Sequence, residues 1–328
     1  MNLEFLKGKK ILVTGGAGLL GMNLTQFFVK NGLEVNSTYF TRPPLDHLKY
    51  YYQQFDLSEY GACLDATKGQ DIVIIGAIQA YGVQGMKQSA TSSVLSNLKI
   101  QAGLLEACSV NNVKKVIWIS SSTVYQEAFY PITEDQLDLN QPPYELYQGV
   151  AWVYRYIEQL AQCYTQKQNL PVGIIRTSSI YGPFDRFDDD KSHVIPSLIK
   201  RALKKENPFI VWGNGFTVRD FVYVDDLVKA IVRVLEGYCN ATPINFSNGT
   251  AVNIKTLVEI VLNICDHSTE PIYDETKPSA TPYRLLDNTK FDTVLGRIRR
   301  TELEDGIKKT VDWYSKYIIN VTSVPRKK

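Results

Sequence analysis

Short runs of consecutive apolar residues alternate with longer amphipathic stretches along the first half of the chain. The apolar runs predict buried strands over residues 10–14, 34–40, 71–76, 116–120 and 172–176. Helical spacing predicts helices over residues 23–31, 92–111 and 151–168. Strands that are apolar along their whole length are typical of a parallel sheet covered by helices on both faces. The pattern therefore predicts an α/β fold, a Rossmann-like doubly wound parallel sheet.

The alternation changes after Pro183. Here the pattern predicts a charged loop at 188–191, helices over 194–205, 227–236 and 254–264, and strands over 209–212 and 217–224. Part of this half is expected to return to the main sheet. The remainder is expected to form a smaller C-terminal lobe.

A turn with glycines at every third position, Gly15, Gly18 and Gly21, follows the first predicted strand and opens the first helix. In the context of a parallel sheet, such a turn lets the backbone approach a pyrophosphate, and the helix N-terminus offers oriented N–H groups. We therefore predict a cofactor site at Gly15, Gly18, Leu19, Leu20 and Gly21. The alternative is an ordinary strand–helix turn. The prediction makes residues 1–183 an NAD(P)-binding domain, to which later segments return, and residues 184–328 mainly a substrate-binding lobe.

The end of the second predicted strand decides between NAD and NADP. No acidic residue stands there to accept the ribose hydroxyls, whereas Arg42 is suited to a 2′-phosphate, so NADP is favoured over NAD. Arg42 could instead be a solvated loop cation. Asp56 and Leu57 are candidates for the adenine edge, although Asp56 could also cap the following helix. Ala77 and Asn97 are the remaining candidate cofactor-binding residues.

Composition excludes several classes of function. The 36 basic and 34 acidic residues give a formal net charge of +2, which provides no electrostatic case for a nucleic-acid or membrane partner. No apolar run approaches the roughly 20 residues of a membrane span. The five cysteines and three histidines are scattered, so we expect no metal site and no disulfide framework, and a reduced, cytoplasmic setting.

Four motifs make the chain resemble the extended short-chain dehydrogenase/reductase family, which comprises nucleotide-sugar epimerases, dehydratases and reductases. They are Thr14-Gly-Gly-Ala-Gly-Leu-Leu-Gly21, Ser120-Ser-Ser-Thr-Val-Tyr125, Ile180-Tyr-Gly-Pro183 and Arg219-Asp-Phe-Val-Tyr-Val-Asp-Asp226. Within the family, three further stretches resemble the GDP-fucose synthase branch: Ser192-His-Val-Ile-Pro196, Val211-Trp-Gly-Asn-Gly215, and Lys277-Pro278 followed by Arg284-Leu-Leu-Asp287. The resemblance implies a nucleoside-diphosphate sugar as substrate, GDP-linked and reacting as a 4-keto sugar.

The resemblance also implies roles for individual residues. Ser121 would hydrogen-bond the reacting sugar oxygen, and Thr123 would occupy an acid/base position. His193 would be the general acid of epimerisation, unless it only caps the helix that follows it. Arg219 would hold the diphosphate, which suits the forked guanidinium geometry. The other candidate substrate-binding residues are Ser122, Ser179, Val194, Trp212 and Arg284.

The chain departs from the family at its Tyr-x-x-x-Lys pair. In one alignment Val150 stands at the tyrosine position and Tyr154 at the lysine position. An alternative alignment, which needs a gap, places Tyr144 and Gln148 there, and Tyr147 could reach in from the preceding loop. Three interpretations remain open. Tyr144, Tyr147 or Tyr154 could handle protons in an active enzyme; the protein could perform only proton chemistry, as in C3/C5 epimerisation; or it could be a silent binding subunit.

Relatives in this family usually dimerise by packing two helices of each subunit into a bundle. The resemblance therefore implies a homodimer built on residues 92–111 and 151–168. Trp152, Tyr156 and Tyr164 would line the contact, unless they belong to the core.

Overall fold

The computed structural model describes residues 1–79, 91–188, 192–277 and 281–316. The charged loop beyond Asp188, Pro278 and the basic C-terminal tail lie outside these residues.

The strands and helices are numbered in chain order within the described ranges. The strands are β1 (Ile11–Thr14), β2 (Val35–Tyr39), β3 (Tyr52–Gln54), β4 (Ile72–Ile75), β5 (Lys115–Ser121), β6 (Val172–Thr177), β7 (Ser179–Tyr181), β8 (Phe209–Trp212), β9 (Val218–Arg219), β10 (Phe221–Tyr223), β11 (Pro243–Phe246), β12 (Val252–Asn253) and β13 (Pro271–Asp274). The helices are α1 (Leu19–Lys30), α2 (Tyr60–Thr67), α3 (Ser92–Val110), α4 (Gln148–Gln168), α5 (Val194–Leu203), α6 (Val224–Gly237), α7 (Ile254–Ile264), α8 (Thr289–Leu295) and α9 (Leu303–Tyr314).

Seven of the described strands form one sheet in the order β11-β6-β5-β4-β1-β2-β3. All neighbouring pairs in this sheet are parallel. The order reverses between β1 and β4, and ligands of open α/β sheets bind at the carboxyl ends of the strands beside such a reversal. The predicted doubly wound parallel sheet is confirmed.

Helices cover both faces of this sheet because its strands are apolar on both sides. One core joins the strands to α2, α3 and α4 through residues such as Ala66, Leu105 and Ile157. The other joins them to α1 and α6 through residues such as Phe28 and Ile231. The second half of the chain thus returns to the sheet with α6 and β11, while α5, α7 and α9 enclose a separate small core with β8 and β10.

Several predicted boundaries differ from the structure. Helix α1 begins at Leu19 rather than Asn23, directly after the glycine turn, and α4 begins at Gln148. The strand predicted over 217–224 is divided at Asp220 into β9 and β10, and Val224 already belongs to α6. The strand is divided because its two parts pair with different partners, β9 with β12 and β10 with β7.

Candidate active site

The glycine turn between β1 and α1 has no room for side chains. Gly15 has a φ of 67°, and a Cβ there would stand 2.8 Å from the Gly76 carbonyl oxygen. A Cβ on Gly21 would collide with the Gly15 carbonyl oxygen. The N-cap of α1 is Gly18, which carries no capping side chain. The first N–H groups of the helix, including those of Leu19 and Leu20, lack intrahelical partners and are free for an anionic ligand.

The turn is anchored from the neighbouring strands. Gly16 donates its N–H to the Thr38 carbonyl at 2.7 Å, and the Tyr52 hydroxyl donates to the Gly16 carbonyl at 2.9 Å. A preformed, side-chain-free cradle of this kind fits a dinucleotide pyrophosphate. NAD(P) supplies hydride chemistry when it is bound, and this turn would hold it.

Arg42 lies beyond the end of β2, as the sequence predicts. Its Nη2 donates to the Phe184 carbonyl at 3.5 Å. Its Nη1 is buried and has no hydrogen-bond partner among the described residues. Burial is the main cause that lowers the Arg42 pKa, and the neighbouring Arg186 guanidinium lowers it further. An unpaired buried N–H beside a second cation fits a phosphate.

The other predicted cofactor residues lie around the same edge of the sheet. Asp56 does not occupy the N-cap of α2, which is Glu59. The Asp56 carboxylate instead accepts hydrogen bonds from the backbone N–H and the hydroxyl of Ser58. Leu57 is buried. Asn97 exchanges two hydrogen bonds with the Gln79 backbone, at 2.7 and 3.1 Å. Asn97 therefore fixes the segment after β4, which includes the buried Ala77.

Hydroxyl groups are concentrated where β5 and β6 end. The Ser121 Oγ accepts from the Thr123 N–H at 3.2 Å and lies 3.1 Å from the Thr123 hydroxyl. Ser121 is paired in the sheet with Thr177. The hydroxyls of Thr177 and Ser178 are buried without a partner in the described structure. These two residues were missed by sequence reasoning, because their burial depends on sheet register.

Ser122 and Ser179 are the chain neighbours of this cluster of hydroxyl groups. Ser122 is buried at the start of a 3-10 turn that follows β5. Ser179 is exposed in β7 and donates its N–H to the Asp220 carbonyl.

Val150 and Tyr154, the residues that the sequence analysis assigned to the family's Tyr-x-x-x-Lys pair, lie in the first two turns of α4. Val150 is half-buried against the core. The Tyr154 ring packs edge-on against Trp118, with centroids 5.6 Å apart. Burial raises the pKa of Tyr154 to about 12, so the phenol is neutral near pH 7. This phenol supplies no positive charge.

Arg219 and Arg284 form a buried pair of guanidinium groups. Arg284 donates to the carbonyls of Gln126 and Tyr125, and Arg219 donates to the Val218 carbonyl. Burial lowers the pKa of Arg284 to about 10, and the charge of Arg219 lowers it too. Neither side chain makes a salt bridge with any described carboxylate. Two buried cations without a counter-ion fit a diphosphate.

Tyr144 and Tyr147 join this pair from the segment before α4. Their ring centroids are 6.0 Å apart. Burial raises the pKa of Tyr147, while the charges of Arg219 and Arg284 act in the opposite direction. The structure thus brings together four predicted residues, Tyr144, Tyr147, Arg219 and Arg284.

Asp220, another residue that the sequence did not single out, ties this arrangement together. Its two carboxylate oxygens accept from the N–H groups of Gly249 and Leu286. The Arg284 N–H in turn donates to the Val218 carbonyl at 3.1 Å. Burial raises the pKa of Asp220 to about 6.

A buried ion pair supports the floor of the site. Arg176 in β6 bonds to both oxygens of Glu158 in α4, at 2.9 and 2.6 Å, and Ser120 donates to the same carboxylate. Arg176 also donates to the Tyr125 hydroxyl, which donates to Asn245 in β11. The network fixes Tyr125, whose carbonyl receives Arg284. Sequence reasoning missed it because its members are joined only by the packing of α4 on the sheet.

His193 precedes α5 but does not cap it through its side chain. Its imidazole is 55% exposed, and its Nδ1 lies 3.3 Å from the Asp185 carboxylate. The hydrogen bond to Asp185 raises the His193 pKa. Val194 and Trp212 are exposed, the latter in β8. In the described ranges, neither His193 nor Trp212 hydrogen-bonds to the arginine pair.

No helix in the described part of the chain is long and apolar enough to cross a bilayer.

Comparisons with known proteins relate the chain to one family. The model of the NAD dependent epimerase/dehydratase family matches residues 11–253. The chain is 28% identical over 322 residues to the probable GDP-L-fucose synthase 1 of Oryza sativa subsp. japonica. This alignment covers 96% of the chain and 94% of the relative.

Two solved structures share its fold. The UDP-glucose 4-epimerase of Thermotoga maritima, solved with UDP-glucose, superposes with a TM-score of 0.83 at 24% identity, covering 94% of this chain and 99% of that one. A GDP-L-fucose synthetase from Naegleria fowleri bound to NADP superposes with a TM-score of 0.78 at 22% identity, covering 98% and 97%.

Proposed function

This chain belongs to the NAD dependent epimerase/dehydratase family, and we propose that it is an NAD(P)-dependent epimerase/reductase of a GDP-linked 4-keto sugar. The family match confirms the resemblance carried by the sequence motifs. The observation that carries the proposed substrate class is the Arg219–Arg284 pair, two buried cations that lack a carboxylate partner in the described structure. Similarity to a probable GDP-L-fucose synthase over nearly the whole chain supports GDP as the nucleotide.

Each group of candidate residues is assigned one role from its position in the structure. The glycine turn and Arg42 bind the dinucleotide, and Arg219 and Arg284 bind the sugar diphosphate. Ser121 and Thr123 hydrogen-bond the reacting sugar oxygen between these two sites. This arrangement orients the sugar carbon toward the cofactor, which is the main contribution that a protein makes to hydride transfer.

Proton transfer is assigned to groups other than the family's tyrosine and lysine. We propose that His193 acts as the acid of epimerisation, because Asp185 raises its pKa and keeps the imidazole protonated over a wider pH range. Tyr154 is the candidate donor to the carbonyl oxygen, because it carries a phenol proton at the position assigned to the family's lysine. Tyr147 interacts electrostatically with Arg219 and Arg284, and Tyr144 with Arg219, so we assign both tyrosines to the diphosphate.

The replacement of the Tyr-x-x-x-Lys pair favours a second candidate function. Val150 has no proton to give and Tyr154 has no charge, which suits a protein that binds the cofactor but performs only proton chemistry. A silent binding subunit is the third candidate.

One experiment separates the three functions. The purified chain is denatured and its released small molecules are identified by mass spectrometry; the intact chain is then incubated in heavy water with GDP-, UDP-, dTDP- and CDP-sugars. Reduction or oxidation of bound nicotinamide by a GDP-sugar supports the proposal. Deuterium uptake without a redox change supports proton chemistry alone. Tight binding with neither change leaves a binding subunit.

We also propose that the protein is a cytoplasmic homodimer assembled through α3 and α4. Trp152 and Tyr156 are 43% and 55% exposed on α4, and Leu95 is 59% exposed on α3, so these neighbouring helices present an apolar face. Tyr164 is half-buried and donates to Glu106 on α3, so it joins the two helices within one subunit. The five free thiols support a reducing compartment.

A further inference from the structure

The loop that follows β7 reaches across the molecule to the cofactor turn. Asn23 in α1 donates to the Pro183 carbonyl at 2.9 Å, and Arg42 donates to the Phe184 carbonyl. The Phe184 ring packs with Met22 and Tyr52, residues that border the glycine turn. A segment from the second half of the chain therefore lies over the predicted ribose end of the dinucleotide site.

The conformation of this loop is fixed on both sides of Arg186. Phe184 has a φ of 72°, a left-handed conformation that is uncommon for a bulky residue. Its ring lies 4.9 Å from Trp313 of α9, and Phe187 stacks on Tyr314 with centroids 4.0 Å apart. A strained residue held by its surroundings is typical of a functional site.

The loop whose Phe184 carbonyl accepts a hydrogen bond from Arg42 also carries Arg186, two residues further along. The positive charge of Arg186 opposes the protonation of Arg42, and the buried Nη1 of Arg42 has no partner in the described structure. The repulsion between two positive charges at the end of β2 is unfavourable unless an anion binds there.

The nearest carboxylates compensate only in part. Asp185 directs one oxygen to the Arg186 backbone N–H at 2.7 Å and to His193 at 3.3 Å, and makes no salt bridge with Arg42. Asp188 also raises the Arg42 pKa, yet burial and Arg186 outweigh both carboxylates and the pKa stays below its ordinary value.

We propose that Arg186, from the second half of the chain, joins Arg42 in binding the 2′-phosphate of NADP(H). The inference rests on the proposed function in that it assumes a dinucleotide on the glycine turn. A second arginine at this position would make the protein specific for NADP(H). This specificity would then depend partly on the loop that also carries Asp185, the partner of His193.

The test compares two ligands that differ only by the phosphate in question. Calorimetric titration measures binding of 2′,5′-ADP and of 5′-AMP to the full chain, to Arg186→Gln and to Arg186→Lys. Arg233→Gln is the matched control, because Arg233 is half-buried on α6 and its ion pair with Glu236 is long, at 3.9 Å. Thermal unfolding verifies that each variant is folded.

The native chain should bind 2′,5′-ADP at least about tenfold more tightly than 5′-AMP, because the phosphate gains charge-assisted hydrogen bonds. Arg186→Gln should remove most of this preference by weakening 2′,5′-ADP alone, while Arg186→Lys keeps part of it and Arg233→Gln keeps all of it. A native chain without the preference, or an Arg186→Gln chain that loses both ligands equally or neither, would overturn the proposal.

A parallel titration with GDP separates this inference from the proposed function. GDP binding should be the same in the native chain and in Arg186→Gln. Absence of GDP binding, with the 2′,5′-ADP preference intact, would count against the proposed substrate and leave the role of Arg186 standing.

Discussion

The buried charges of two arginines in the candidate site indicate an anionic ligand independently of the sequence motifs. Arg219 and Arg284 are buried at 9% and 6% exposure and make no salt bridge with described carboxylates. Burial of an unpaired charge is unfavourable, so a site of this kind is expected where a ligand provides the opposite charge. The sequence identified both arginines through the family motifs. It did not identify Thr177 and Ser178, whose unpaired hydroxyls become visible only when β5 and β6 are in register.

Replacing either arginine should weaken substrate binding without unfolding the protein. Arg219→Gln and Arg284→Gln should each raise the dissociation constant for GDP about 10- to 100-fold, the range expected for a lost charge-assisted hydrogen bond. Removal of one cation also relieves its repulsion of the other, so melting temperatures should not fall. Titration and thermal unfolding measure the two effects, with Arg233→Gln as control. Unchanged GDP affinity in both variants would remove the assigned diphosphate site.

Asp220 should make stability depend on pH in an identifiable way. Burial raises its pKa from 3.8 to about 6 in the folded state, so the folded protein binds the proton more tightly than the unfolded chain does. The stabilisation is complete below the unfolded pKa and is lost as pH rises through about 6, by roughly 3 kcal/mol in total. Urea unfolding between pH 4 and pH 7 should therefore show a steeper decline for the native chain than for Asp220→Asn. Equal slopes would show that Asp220 is not the group responsible.

Individual elements were predictable to different degrees. Strands β1, β4, β5 and β6 are short apolar runs, and the sequence located them within a residue or two of their observed ends. By contrast, β11 has the mixed sequence Pro-Ile-Asn-Phe, which carries neither an apolar run nor a clear alternation. Its place at the sheet edge depends on pairing with β6 and on Asn245, whose side chain donates to two backbone carbonyls.

A buried ion pair between Glu158 and Arg176 joins α4 to the sheet in addition to the apolar core that they share. Glu158→Gln should lower the free energy of unfolding by about 3 to 5 kcal/mol, because it leaves the buried Arg176 without its charge partner. Glu4→Gln is the matched control, since its pair with Lys7 is exposed and is worth at most about 1 kcal/mol. Denaturant unfolding of both variants compares the two effects. Similar small losses would contradict the structural role assigned to the pair.

The exposed face of α4 should carry the subunit contact. Trp152→Glu places a charge on the apolar face formed with α3, and it should convert the proposed homodimer into a monomer in light scattering. Phe129→Glu is the control, because Phe129 is 68% exposed and lies outside both helices. A native chain that is already monomeric, or a Trp152→Glu chain that stays dimeric, would contradict the proposed assembly.

At the scale of the whole molecule, the fold presents two candidate binding sites. The glycine turn at β1 offers a cradle without side chains, and the arginine pair lies near the carboxyl edge formed by later segments. The sequence predicted this division from the order of its motifs. It could not predict that the loop after Pro183 returns to Arg42, since that contact joins residues far apart in the chain through the packing of Phe184 and α9.

The proposed activity is tested most directly by nicotinamide absorbance after the protein is mixed with NADPH and a GDP-linked 4-keto sugar. We expect the reduced-nicotinamide band to decay in proportion to the sugar consumed, and the decay to be slower in Arg219→Gln at the same sugar concentration. Persistence of the band, together with no deuterium uptake into the sugar from heavy water, would contradict the proposal that this chain is a nucleotide-sugar enzyme.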